Sequence, residues 1–206
     1  MKILVIGATG GTGRLIVRRL LDRGDSVRAL ARKPADITER HERLEVVQGD
    51  ARDAASVDRA VQGVDAVVAA FGPRSLKKTD VQETLARNLT TAMRAHGVKR
   101  LVNLSAWGAG DSADKSGLLF AIFRDTVLRH VYADKNRGEA ILLDPAFDYV
   151  NVRPGRLLDA PARGRVKASL DGVGIKKELT RDDLAAFMVD QVHSDVWLKK
   201  SPLIGY

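Results

Sequence analysis

Cysteine is absent from all 206 residues, which excludes a disulfide framework, a thiolate nucleophile and a cysteine-based metal site. Long apolar runs are missing too. The N-terminal one covers only residues 3–6, too short for the core of a secretory leader, and no later run approaches the ~20 residues needed to span a bilayer. A cytoplasmic protein without a membrane segment is therefore expected. Aromatic residues make up 5% of the chain, and none lies among the bases of the first 33 residues, so the stacking platform of a single-strand nucleic-acid binder is lacking. The four histidines (His41, His96, His130, His193) fall on separate stretches without ligand spacing, so no metal site is expected.

Acids are outnumbered by bases, leaving a net charge of +8, and the excess is concentrated. Residues 1–33 hold eight bases (Lys2, Arg14, Arg18, Arg19, Arg23, Arg28, Arg32, Lys33) against two acids (Asp22, Asp25), while the remainder is near neutral. A cluster this compact suits a small, multiply phosphorylated anion better than a long polyanion, so no nucleic-acid partner is expected. A solvated helix face would use some of the same residues.

The stretch at the centre of this charge is residues 1–13. Four apolar residues run into Gly7, Gly10 and Gly13, and the segment after Gly13 has helical spacing. A short β-branched run feeding glycines and then a helix reads as a strand buried on both faces, followed by a tight turn. In that setting Gly7 permits the turn, Gly10 leaves room for backbone N–H groups to approach a diphosphate, and Gly13 lets the helix pack close on the sheet. Thr9, Gly11 and Thr12 complete the turn, with the helix N-terminus facing the anion.

Alternation continues along the chain. Residues 14–23 read as a helix, 26–31 as a strand, 44–48 as a strand, 54–61 as a helix and 65–71 as a strand that ends at Gly72-Pro73. Helix 79–96 follows, then strand 98–104, a long helical segment over 118–143 and strand 149–152. Such order predicts an α/β, Rossmann-type, doubly wound parallel sheet with right-handed crossovers, built as a single domain over residues 1–206. Residues 166–170, the Asp171-Gly172 turn, a helix capped by Thr180 with Asp183, and a last strand over 201–206 belong to a smaller C-terminal region, 156–206. That region is expected to wall the substrate side.

Candidate ligands sit at the carboxyl ends of the strands. After the second strand, where an acid would favour NAD, stand Arg32 and Lys33. They suit the 2′-phosphate of NADP, or are simply exposed bases. Gly49, Asp50 and Ala51 follow the third strand, Asp50 being either an adenine partner or a turn residue bonded to its own backbone. Ala70, Phe71 and Gly72 follow the fourth. Ser105 ends the fifth, positioned to bond a substrate carbonyl or a nicotinamide amide, or to cap the next turn. Arg153, Pro154 and Gly155 end the sixth, as a wall or a turn.

These residues resemble a known family. The Gly7 to Gly13 turn, Gly49-Asp50, Leu104-Ser105-Ala106, the Lys135, Glu139 and Leu142 pattern and Val152 to Gly155 together resemble the atypical short-chain dehydrogenase/reductases. The subgroup is that of NAD(P)H-binding proteins similar to biliverdin reductase B (flavin reductase) and epimerase-like proteins. The resemblance implies NADP(H) as cofactor and hydride transfer to a small or flat acceptor such as a flavin, a quinone or a tetrapyrrole-like compound. Ordinary members of the family pair a serine with a tyrosine and with a lysine four residues after that tyrosine. Here Tyr132 precedes Lys135 by three, which leaves Tyr132 as proton donor or as a rim residue, and Lys135 as a ribose binder or a solvated helix lysine. Ser105, Tyr132 and Lys135 are the expected catalytic set. The alternative is an NADP-sensing regulator that contacts a protein partner without turnover. A monomer and a homodimer fit the sequence equally.

Overall fold

The computed structural model describes residues 1–72 and 76–206, so Pro73, expected to close the fourth strand's turn, lies outside the described residues. Strand β1 (Lys2–Ile6) is the middle of the sheet, and its four apolar residues are at most 1% exposed. Alternation splits them: Ile3 and Val5 enter one core, Leu4 and Ile6 the other. This is why the run is continuously apolar rather than alternating.

Helix α1 (Gly11–Asp22) turns Ile16, Val17, Leu20 and Leu21 into the first core. Next come β2 (Ser26–Ala31), β3 (Leu44–Gln48), α2 (Ala54–Val61) and β4 (Ala66–Ala69). Then follow α3 (Val81–Ala95), β5 (Arg100–Leu104), α4 (Leu118–Thr126), α5 (Arg129–Leu142) and β6 (Asp148–Pro154). The C-terminal region adds β7 (Arg156–Leu158), β8 (Lys167–Ser169), β9 (Glu178–Thr180), α6 (Arg181–Val192) and β10 (Leu203–Gly205). Helices α1 and α6 cover one face of the sheet; α2, α3 and the end of α5 cover the other.

The main sheet has the order β3-β2-β1-β4-β5-β6-β10-β8, parallel except for β8, which runs antiparallel on β10. This is the Rossmann-like arrangement expected, and the strand order reverses between β1 and β4. There the chain leaves the sheet to opposite sides and opens a crevice beyond the strand ends. Among the described residues no helix is long and apolar enough to cross a membrane.

Some boundaries differ from the sequence reading. Segment 118–143 is two helices, the first ending at Thr126, whose hydroxyl donates to the Ile122 carbonyl at 2.7 Å. Leu128 then carries the chain across with φ −97° and ψ 7°. The halves also pack differently: α5 buries Val131, Tyr132, Asp134, Lys135, Gly138, Glu139 and Leu142, while α4 buries nothing. Strand β4 stops at Ala69, and Phe71 and Gly72 leave the ladder to line the crevice. Strands β7 and β9 pair in parallel as a separate two-stranded sheet, a contact between segments about twenty residues apart that periodicity does not reveal.

Candidate functional site

The turn from β1 into α1 is tightly packed on itself. Gly7 has φ +87°, and a Cβ there would stand 2.4 Å from the Ala70 carbonyl oxygen. A Cβ on Gly13 would stand 2.0 Å from the oxygen of Gly7. Neither position accepts a side chain, which fixes how closely α1 approaches the sheet. The Gly10 N–H donates to the Gly7 carbonyl at 2.9 Å, and Gly10 takes the N-cap position of α1. It brings no capping side chain, and no acid stands in the first turn. The backbone N–H groups of Gly11, Thr12 and Gly13 have no hydrogen-bond acceptor among the described residues. A helix end left in this state can accept an anion through backbone alone.

Beside it lies a cleft of about 310 Å³. Gly7, Thr9, Gly10, Arg32, Gly49, Asp50, Ala51, Ala70, Phe71 and Gly72 line it, together with Arg52, Thr79 and Val81, which sequence reasoning did not single out. Their signal was topological: Arg52 follows the Gly49-Asp50 turn, and Thr79 and Val81 open α3. Asp50 makes the turn bond, accepting from the Arg52 N–H at 2.9 Å, while its residue also faces the cleft. An adjoining hollow of about 390 Å³ is lined by Thr9, Arg32, Lys33 and Asp36.

The bases of the N-terminal cluster divide into two groups. Lys2 and Arg28 pair with Glu45, Arg18 with Glu39, Arg19 with Asp182 and Arg23 with Asp190. Arg14 donates to the Asp36 carbonyl at 3.2 Å. Arg32 and Lys33 have neither an ion pair nor a side-chain hydrogen bond among the described residues. The first group is structural; the second is available.

Ser105, Tyr132, Lys135, Arg153, Pro154 and Gly155 stand apart from the cleft lining, on β5, α5 and the end of β6. Ser105 donates its hydroxyl hydrogen to Glu139, a carboxylate 4% exposed. Arg153, 2% exposed, donates to the same carboxylate and to Asp111. Burial pulls the Arg153 guanidinium down, but the bonds and charges of Glu139 and Asp111 outweigh it and hold the pKa above its ordinary value. Pro154 accepts from the Trp107 N–H at 2.8 Å, and a Cβ on Gly155 would stand 2.3 Å from the Lys177 oxygen. Tyr132 donates its hydroxyl to the Trp107 carbonyl at 2.9 Å, and burial pushes its phenol up to about 12. Lys135 is 7% exposed, and burial pushes its ammonium down to about 8 against the upward pull of Glu139 and Asp134. Its ammonium has no hydrogen bond among the described residues.

Glu139 entered the sequence reading only as part of the resemblance, with no role at the site, and Asp111 did not enter it. Glu139 follows Lys135 by four in a helix, so one face carries both, and that spacing was the available signal. Asp111 offered none. Among the described residues no three His, Asp or Glu side chains gather as metal ligands would.

A family model described as NAD(P)H-binding matches residues 7–195. The chain is similar to the (4-alkanoyl-5-oxo-2,5-dihydrofuran-3-yl)methyl phosphate reductase of Streptomyces griseus subsp. griseus, 46% identical over 103 residues, 50% of this chain and 34% of that one. It is also similar to the uncharacterized sugar epimerase YhfK of Bacillus subtilis, 30% identical over 202 residues, 92% of this chain and 86% of the other. In fold it is similar to ChuY, an anaerobillin reductase from Escherichia coli O157:H7. That match has a TM-score of 0.82 and 21% identity, covering 100% of this chain and 97% of that one. The matches to the first two curated relatives span about a third of their length, 34% and 35%.

Proposed function

Since the chain belongs to the NAD(P)H-binding family, we propose that it is an NADPH-dependent oxidoreductase that passes a hydride to a small or flat apolar acceptor of the flavin, quinone or tetrapyrrole-like kind. The observation that carries this reading is the uncapped end of α1 beside the two unpaired bases, Arg32 and Lys33. In it the N–H groups of Gly11, Thr12 and Gly13 take the diphosphate, Gly7, Thr9 and Gly10 shape the approach, and Arg32 and Lys33 take the 2′-phosphate. Gly49, Asp50 and Ala51 flank the adenine, and Ala70, Phe71 and Gly72 form the floor of the cleft.

When bound, the reduced nicotinamide supplies the hydride; the chain supplies position and exclusion of water. Ser105 has already given its hydrogen to Glu139, so it offers lone pairs, which suit the carboxamide N–H. Lys135, buried with its donors unused, suits the ribose hydroxyls. Tyr132 holds its proton tightly and spends it on Trp107, which makes it a packing residue and leaves solvent as the acceptor's proton source. Arg153, Pro154 and Gly155 brace this side from behind. The C-terminal region, 156–206, walls the substrate side. Helix α4 follows the β5 end and exposes Leu118, Leu119, Phe120, Ile122 and Phe123, an apolar surface that supports an apolar acceptor.

The test is turnover. NADPH incubated with flavins, quinones and linear tetrapyrroles is expected to lose its reduced-nicotinamide absorbance in the presence of the protein, and Tyr132→Phe is expected to keep that activity. Tight NADPH binding with silence across the panel would favour the NADP-sensing regulator, a reading that the commitment of Tyr132 to Trp107 keeps in play.

A further inference from the structure

Every group proposed above for the diphosphate comes from the first quarter of the chain, yet a guanidinium from the last quarter lies against the same turn. Arg181 is the first residue of α6, directly after its N-cap Thr180. Its Cδ and Nε stand 3.1 and 3.3 Å from the point a Cβ on Gly11 would occupy, so the side chain runs across the first turn of α1 in space that glycine leaves free. The first turn of α6 carries Asp182 and Asp183, but that of α1 carries no acid, so a cation lying across it is disfavoured by the α1 dipole until an anion joins it. Its one ion pair among the described residues is with Asp159, whose side chain is 86% exposed. Exposed pairs of this kind contribute little. A diphosphate carries more charge and accepts the paired N–H groups of a guanidinium, so it out-competes a single solvated carboxylate.

We propose that Arg181 is a further ligand of the cofactor's diphosphate, exchanging Asp159 for it when the dinucleotide enters. This rests on the reading of the cleft as a dinucleotide site. It also gives the C-terminal region a direct part in holding the cofactor, with Arg181 packed over Gly11.

The experiment titrates NADP and adenosine 2′-monophosphate, which lacks the diphosphate, into the full chain and into Arg181→Ala and Asp159→Asn. Arg181→Ala is expected to weaken NADP about tenfold, as loss of a charge-assisted contact does, and to leave adenosine 2′-monophosphate within about twofold. Asp159→Asn, at an exposed position, is expected to tighten NADP about threefold by releasing the guanidinium. NADP binding to Arg181→Ala within about twofold of the unaltered chain, or equal weakening of both ligands, would overturn the assignment; an unchanged Asp159→Asn would overturn the exchange. If the unaltered chain binds neither ligand, the dinucleotide reading itself is overturned, an outcome distinct from the others.

Discussion

Helices α1 and α3 both begin at the carboxyl edge of the sheet, each following a strand of its centre, yet their first turns are completed in opposite ways. At α3 the carboxylate of Asp134, fully buried on α5, accepts the N–H groups of Gln82 at 3.0 Å and Glu83 at 3.2 Å. The anion site there is filled from within, and the helix end is spent on holding α3 against α5. At α1 the corresponding N–H groups of Gly11, Thr12 and Gly13 have no acceptor among the described residues, and neither the N-cap Gly10 nor the first turn brings an acid. The backbone chemistry is the same. What differs is whether the chain itself supplies the negative charge, and under the proposed function that separates a structural helix end from a binding one.

The comparison is broken most severely by giving α1 an acidic cap of its own. Gly10→Asp puts an acceptor at the N-cap of α1, where φ −79° and ψ 162° already suit it. Its carboxylate should support the helix by about 1 kcal/mol while excluding the diphosphate. NADPH affinity, followed by fluorescence titration, is expected to fall about a thousandfold, roughly 4 kcal/mol, with the melting temperature little changed, since the new cap is set against a Cβ placed 3.2 Å from the Gly7 oxygen.

Lys135 is the neighbour of Asp134, and its charge is compensated only in part by Asp134 and Glu139. Burial lowers its pKa from 10.5 to about 8, so the unfolded chain holds this proton more tightly than the folded one. The penalty is felt in full below about pH 8 and disappears as the pH climbs from there to 10.5, so this group makes stability rise across that window by on the order of 3 kcal/mol. Lys135→Met should abolish the rise and be more stable at neutral pH. Urea unfolding of both proteins along a pH series checks this, and parallel profiles would contradict it.

Emptying the filled site is the converse experiment. Asp134→Ala leaves two N–H groups of α3 without a partner and should cost about 2 kcal/mol in denaturant unfolding, with little change in NADPH affinity. A large loss of affinity with intact stability would mean that the two helix ends are not separate in function. The smallest effect concerns the free bases. Arg32→Ala with Lys33→Ala should weaken NADPH roughly tenfold and leave NADH within about twofold, measured side by side. Equal loss for both would place those bases outside the 2′-phosphate site.

Much of this was legible from residue order because it is local. Strand β1, the stripe of α1, the glycine turn and the Thr180–Asp183 cap each depend on neighbours a few residues apart, and the structure repeats them: Thr180 accepts from the Asp183 N–H at 3.1 Å. What escaped depends on distant partners. Asp134 reads as an ordinary helix acid until α5 meets α3, and Glu139 reads as half of an i,i+4 pattern until Ser105 and Arg153 converge on it. Tyr132 invited a chemical role by its nearness to Lys135, but its hydroxyl is met by Trp107, twenty-five residues upstream. The break between α4 and α5 was hidden because neither glycine nor proline marks it, and composition misleads about burial: the apolar α4 exposes its side chains while the more polar α5 buries Asp134, Lys135 and Glu139.

The most direct test of the account is an amide chemical-shift titration of the isotope-labelled protein with NADP. The N–H resonances of Gly10, Gly11, Thr12 and Gly13 are expected to move as NADP binds, together with the side-chain signals of Arg32, while those of Gln82 and Glu83, already held by Asp134, stay in place. Saturation by NADP with the α1 amides unmoved would contradict it.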